Sequence, residues 1–494
     1  MRIISRYSPF ASTYIILTLL LLFVISCNSS TTSNRQATQT TQSIPGTQTT
    51  PTPNHTPAPT PTRAPNGQMT PLQLSSDPYS NGMGQYQTEV EPDTYSYGST
   101  IVATFQAGRY RDIGSDNIGW ATSVDGGSSW VSGFLPGTTK LVGGAYDRIT
   151  DPVVTYDAAH NTWMISSVAR LLVSGNLTAP AVLVNLSTDG GISWSRPITV
   201  AYAGNSGILD KDWLVCDNTT SSRFYGHCYI EWDDFTKNDL VEMSTSTDGG
   251  RTWGGAKTTA DRVSGIGGLP LVQPGGKVIV PISRGNENAI MAFTSSDGGI
   301  SWSSTLFITG VISYAKNAYY SGYIFLSAGI DGFGKVYLVW VDCRFEPLCH
   351  GNDLAMTTST DGVQWAPVQR IPLAPIASGI YYYVNGLGVD MSTSGSLAHL
   401  GLVFYYYSSG CFNNCQLYVG FVSSTNGGST WSTKKQLAGP MYDTWIASGN
   451  NKVGDYIALS FCGGKAFPVF PIGSAPNGGH LNEAMYTVTG GLSV

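Results

Sequence analysis

Ser123-Val-Asp125-Gly-Gly-Ser-Ser-Trp130 is the stretch on which the reading of this chain turns. It returns as Ser187-Thr-Asp189-Gly-Gly-Ile-Ser-Trp194, Ser246-Thr-Asp248-Gly-Gly-Arg-Thr-Trp253 and Ser295-Ser-Asp297-Gly-Gly-Ile-Ser-Trp302. A copy one residue shorter, Ser359-Thr-Asp361-Gly-Val-Gln-Trp365, follows, and Ser424-Thr-Asn426-Gly-Gly-Ser-Thr-Trp431 carries Asn in place of Asp. The Asp (or Asn) positions are 64, 59, 49, 64 and 65 residues apart, so an internal repeat organises the chain. In each copy the acid accepts hydrogen bonds from the turn amides, Gly supplies positive φ, and Trp plugs the hairpin beneath.

Apolar strand formers precede every copy, as in Val182-Leu-Val184 and Leu417-Tyr-Val419, so each copy joins two antiparallel strands. Two further strands recur between copies. One follows a turn (Asp151-Pro-Val-Val-Thr-Tyr156, Asp212-Trp-Leu-Val-Cys216), and the other alternates apolar and small residues (Trp163-Met-Ile-Ser-Ser-Val168, Lys335-Val-Tyr-Leu-Val-Trp340). Four strands per unit of roughly 60 residues make a propeller blade. A seventh set without the motif follows the sixth copy, from Gly454 to Val488, and Leu72 to Val90 would add its missing outer strand. The expected fold is an all-β propeller of four-stranded antiparallel blades, seven in number, with six as the alternative.

From Glu89 to Val494 the repeats resemble the Asp-box, or bacterial neuraminidase repeat, of sialidases and related β-propellers. The resemblance implies a sialidase-like architecture and a glycan ligand. Sialidases use an arginine cluster, a Tyr nucleophile activated by Glu, and an Asp acid/base. The one Arg370-Ile-Pro372 here follows the fifth box, on an expected outer strand, and no aromatic-Arg-Ile-Pro precedes the first.

The residues before the repeats read differently. Arg2 and Arg6 precede an apolar run, Tyr14 to Ile25, too short for a stable span, which ends Val24-Ile25-Ser26-Cys27. That pattern fits a lipoprotein signal peptide over residues 1–26, with Cys27 the lipidated residue. Residues 27–70 are rich in Thr, Gln and Pro, cannot bury enough surface to fold, and read as a disordered tether. Residues 71–494 form the folded domain, a monomer expected on the extracellular face of the bacterial cell membrane and touching it through the lipid alone.

Charged residues are only 12% of the 494, about half the usual share, and the net charge of −6 comes with no basic block, which argues against nucleic acid. Cys216/Cys228, Cys343/Cys349 and Cys411/Cys415 are spaced as local disulfides for an oxidising compartment, with Cys462 left over. The spacings lack a metal-binding framework, and neither a metal nor a cofactor is expected.

In a four-stranded meander, the start of the first strand and the end of the second share a face opposite the boxes. The ionisable residues of this charge-poor chain gather at those places: Glu91, Asp93, Arg148, Asp151, Asp210, Lys211, Asp212, Lys452 and Asp455 at first-strand starts, and Arg109, Arg111, Arg170, Asp233, Asp234, Arg284, Asp342 and Arg344 at second-strand ends. Tyr381-Tyr-Tyr383 and Tyr405-Tyr-Tyr407 fall on the same side. Arg148, Arg284 and Arg344 are expected to clamp an anion, with Asp151 and Asp212 as the acid/base pair. Two functions fit a hydroxyl-rich or anionic ligand there: a glycoside hydrolase, or a propeller that binds glycan or protein without chemistry.

Overall fold

The computed structural model describes residues 70–80, 84–85, 87–312, 326–408, 415–446 and 453–494. The expected signal peptide, all but the last residue of the expected tether, and Cys411 and Lys452 lie outside them; so does Cys27. Among the described residues the regular structure is β-strand and short 3₁₀ turns, with no α-helix.

The strands form antiparallel meanders. The first runs Glu89–Tyr97, Thr100–Arg109, Ser115–Ser123 and Val131–Phe134, and the second begins at Arg148–Asp157. A single bridge, Ser115 to Ile149, joins these two into one eight-stranded sheet. Later meanders lead with Leu209–Cys216, the split pair Gly265–Ile266 and Leu271–Val272, Ser327–Ile330, Tyr381–Val389 and Ala458–Cys462. The last is completed from the other end of the chain: Pro71–Gln73 pairs with His480–Val488. That is the outer strand expected of Leu72 to Val90.

Leading strands of successive meanders lie against one another from Glu89–Tyr97 through to Ala458–Cys462, which returns to Glu89–Tyr97. The apolar core is divided accordingly among the spaces between neighbouring meanders. Trp120, Ile149 and Ile165 fill the space between the first and second. Leu72, Phe105, Trp130 and Phe467 fill the space between the last and the first. Side chains alternate along each strand, so a meander with both faces covered reads as nearly continuous apolar residues.

The repeated motif pins each hairpin locally. The Ser123 hydroxyl donates to Asp125 Oδ1 (2.8 Å) and accepts from the Gly127 amide (2.8 Å), while Asp125 Oδ1 accepts from the Ser129 amide (2.9 Å) and Oδ2 from its hydroxyl (2.6 Å). In the last copy Asn426 Oδ1 still accepts from the Thr430 amide (2.9 Å), and its Nδ2 donates to the Thr430 hydroxyl (2.7 Å), reversing one bond and keeping the turn. The motif also docks on the preceding meander. Gly127, at φ +82°, lies so close to Phe467 of the last meander that a Cβ would sit 2.2 Å from its ring. Gly191, Gly250, Gly299, Gly362 and Gly428 approach the preceding meander in the same way. Gly127→Ala combines a forbidden φ with overpacking, and should cost roughly 2 kcal/mol or more in chemical denaturation. A variant as stable as the parent would show that this contact is not a tight one.

Disulfides join Cys216 to Cys228, paired across two neighbouring strands, and Cys343 to Cys349 within one loop. Cys415 is also disulfide-bonded, and its expected partner, Cys411, lies outside the described residues. The buried Cys462 thiol donates to the Gly98 carbonyl (3.4 Å).

Candidate functional site

Three of the leading strands that carry a bulge place a charged residue in it, whereas Tyr381–Val389 places Val384 there. Each of the three carries one extra residue relative to its partner strand, between Val90 and Asp93, Thr150 and Val153, and Asp210 and Trp213. The first residue of each bulge adopts positive φ: Glu91 (54°), Asp151 (52°) and Lys211 (49°). Side chains disfavour this region, and such strain persists only where the surroundings impose it. Bulges re-aim side chains, and these three bring one charged group each to a common point.

Lys211 is the hub. Its Nζ lies 2.9 Å from Asp455 Oδ2 and 3.4 Å from Asp151 Oδ1, and the Tyr456 ring covers it at 4.8 Å. Burial works against the Lys211 charge, but Asp455, Asp151 and Glu91 outweigh it and push its pKa up. Glu91 accepts from Gln106 and from the Asp455 amide (3.2 Å). Burial, then the neighbouring Asp455, lifts Glu91 to about 7.

Beside this hub lies a layer of acids. Asp210 pairs with Arg170 (2.7 Å), and burial lifts it to about 6 against the pull of that guanidinium. Asp212, Glu231 and Asp233 are buried, and burial raises each well above the usual carboxylate range. The Ser166 hydroxyl beside Asp212 and the Gly268 and Gly267 amides beside Glu231 and Asp233 offset that burial only in part. Gly268 makes room for Glu231, because a Cβ there would lie 2.7 Å from the carboxyl carbon. The side chains of Asp210 (18%) and Asp455 (13%) keep the most contact with solvent, which makes them the accessible edge of the cluster.

Asp151 and Asp212 therefore fall in one neighbourhood, the first raising the second, but Asp212 is enclosed. The arginines do not join them. Arg148 turns to Asp112 (2.6 Å), the Ile113 carbonyl (2.9 Å) and the Tyr110 ring (3.8 Å). Arg344 donates to Asp342 (2.6 Å), Thr309 (3.1 Å) and the Gly310 carbonyl. Arg284 is exposed at the end of its strand. A long side chain at a strand end satisfies its donors on the nearest loop, so the expected clamp does not assemble from these three. The expectation for tyrosines at the mouth is corrected as well: Tyr381, Tyr382, Tyr405 and Tyr407 are buried in the spaces between meanders, the Tyr405 hydroxyl donating to the Pro471 carbonyl (2.6 Å). Arg370 stands on an outer strand, bound by Asp353 through two bonds (2.6 and 2.9 Å).

Sequence reasoning missed Glu231, which sits mid-strand with no turn or motif beside it. It also missed the bulges, although Glu91-Pro92 and Asp151-Pro152 signal them: proline inside a strand removes a ladder donor and marks a bulge or an edge. Among the described residues, no group of three His, Cys, Asp or Glu side chains is arranged to hold a metal ion.

No protein-family model and no curated protein matches the chain. Solved structures similar to it include the NanB sialidase from Streptococcus pneumoniae with a bound chlorobenzyl-ammonio-ethanesulfonate (14% identity, 87% of this chain and 71% of that one, TM-score 0.42). They also include the intramolecular trans-sialidase from Ruminococcus gnavus (14%, 84% and 97%, TM-score 0.38). A PL25 ulvan lyase, a polysaccharide lyase, is similar at 11% identity over 86% and 96% of the two chains, with a TM-score of 0.46.

Proposed function

We propose that the chain is a glycan-acting, sialidase-like propeller of seven blades, exported and held at the extracellular face of the cell membrane by a lipid on Cys27. The seven-blade reading is supported by the closed circuit of leading strands and by the shared last meander. The export reading is supported by the apolar run ending at Cys27, the tether composition and the disulfides.

One observation carries the catalytic reading: a carboxyl paired to Arg170 and two carboxyls paired to Lys211 are held side by side at the face away from the boxes. Asp210, lifted to about 6 and reachable from solvent, is placed to donate a proton to a leaving-group oxygen. Asp151 and Asp455, ion-paired to Lys211, are placed to act as carboxylates toward the developing positive charge of a sugar ring or an attacking water. Asp212 is enclosed and sits behind them, out of reach of a ligand.

The test is a panel of fluorogenic glycosides, sialosides included, with the purified domain. Turnover should fall as pH rises through about 6, because the donor must be protonated. Asp210→Asn should lose about 100-fold or more. A second reading, glycan binding without chemistry, is favoured by the local engagement of Arg148 and Arg344. No turnover anywhere on the panel, together with glycan binding that survives Asp210→Asn and Asp455→Asn, would replace the first reading with the second.

A further inference from the structure

A second feature lies away from the Lys211 cluster. The outermost strand of the third meander, Lys257–Thr258, has two residues, against eight in Lys435–Tyr442 of the sixth. It covers only Glu242 and Met243 of the strand Leu240–Ser246. An open cleft of about 710 Å³ occupies the space beside this shortened edge, running from Lys237 to the fourth repeat at Ile300–Trp302.

The cleft is cationic on a protein whose net charge is −6. Lys237 at one end is neutralised by Asp234 (3.0 Å) and Glu242 (2.9 Å). Lys257 and Arg262 are exposed, and among the described residues neither has a carboxylate within ion-pair distance. Arg262 is also held at positive φ (53°), its amide donating to the Thr259 carbonyl (2.9 Å) while the Thr259 hydroxyl accepts from the next amide (2.9 Å). An unpaired cation kept in a costly backbone conformation on an open cleft points to a role toward a ligand.

We propose that this cleft is a binding site for a linear polysaccharide bearing carboxylate or sulfate groups, separate from the mouth. Lys257 and Arg262 take the anionic groups, and two separate cations along one open cleft suit a repeating anionic chain better than a single charged sugar. The choice of polysaccharide over other polyanions rests on the glycan reading of the mouth; the cationic cleft itself does not.

The experiment is affinity electrophoresis and calorimetry of the folded domain with polygalacturonate, dextran sulfate and neutral dextran at low and high salt. The two charged polymers should bind and neutral dextran should not. Lys257→Ala/Arg262→Ala should weaken binding about ten-fold with an unchanged melting curve, and added salt should weaken it in the parent. Lys257→Glu alone, on an exposed side chain, reports the same loss if the double variant folds poorly. Undiminished binding in these variants, or equal binding of poly-glutamate, overturns the proposal. Asp210→Asn separates the two readings: it should lower turnover about 100-fold and leave cleft binding intact, whereas a parent with no turnover on any glycoside but intact cleft binding counts against the mouth alone.

Discussion

Lys211→Met should lower stability by about 3–5 kcal/mol at neutral pH, the largest effect of any single side chain outside the apolar core. The lysine is 9% exposed at its side chain and neutralises Asp151 and Asp455, with Glu91 adjoining. Methionine fills much of the same volume but leaves these carboxylates facing one another without a counter-charge. Acid should relieve the defect, because the carboxyls take up protons in place of the lost cation. Denaturant titrations of parent and variant at pH 7.5 and pH 5 check this. A deficit below about 1 kcal/mol at pH 7.5, or one of equal size at both values, would remove Lys211 from the centre of the network.

The second large effect concerns Glu89, which is fully buried and accepts from the Met485 amide (2.9 Å), tying the first meander to the last. Burial raises it from an ordinary 4.5 to about 8. The folded state therefore holds a proton that the unfolded chain releases. The associated stability is complete below about 4.5 and is lost as pH climbs through about 8. Glu89→Gln keeps the shape and has nothing to ionise. Between pH 4.5 and 7 the parent should lose about 3 kcal/mol that this variant keeps, read from urea midpoints across the range. Parallel curves would mean that Glu89 does not carry the proton. The repeat acids Asp125, Asp189, Asp248, Asp297 and Asp361 work in the opposite sense. Hydrogen bonds from Ser, Thr and amide groups lower them despite some burial, so their share is present above the ordinary carboxylate value and fades as pH falls through the lowered one. Stability should therefore peak in mild acid.

The parts of this molecule readable from its sequence are those whose physics is local. Asp125 is held by groups two to four residues away, and those bonds depend on nothing distant. Strand alternation is equally short-ranged, which is why the four-strand units and the returning N-terminal strand could be anticipated. The strand-start positions of Glu91, Asp151, Asp210, Lys211, Asp212 and Asp455 could be read from the meander as well. Which of them meet could not. Glu91, Asp151, Lys211 and Asp455 come from four meanders, and their encounter depends on bulges whose effect exists only once the meanders are side by side. Arg148 and Arg344 misled because reach alone says nothing of the nearest acceptor: Asp112 and Asp342 hold them before any ligand does.

The pairing of Pro71–Gln73 with His480–Val488 has a consequence for how the chain acquires its shape. Thr70 and Thr489 touch across 419 positions, so Pro71–Gln73 has no ladder partner until His480–Val488 is in place, although Leu72 packs against Phe105 and Trp130 of the first meander. Closing so long a loop carries an entropic toll that no local contact offsets in advance. Until that moment the strand His480–Val488 offers a bare edge. Maturation should thus finish in one late, cooperative step, with the two extremities of the domain acting as a clasp.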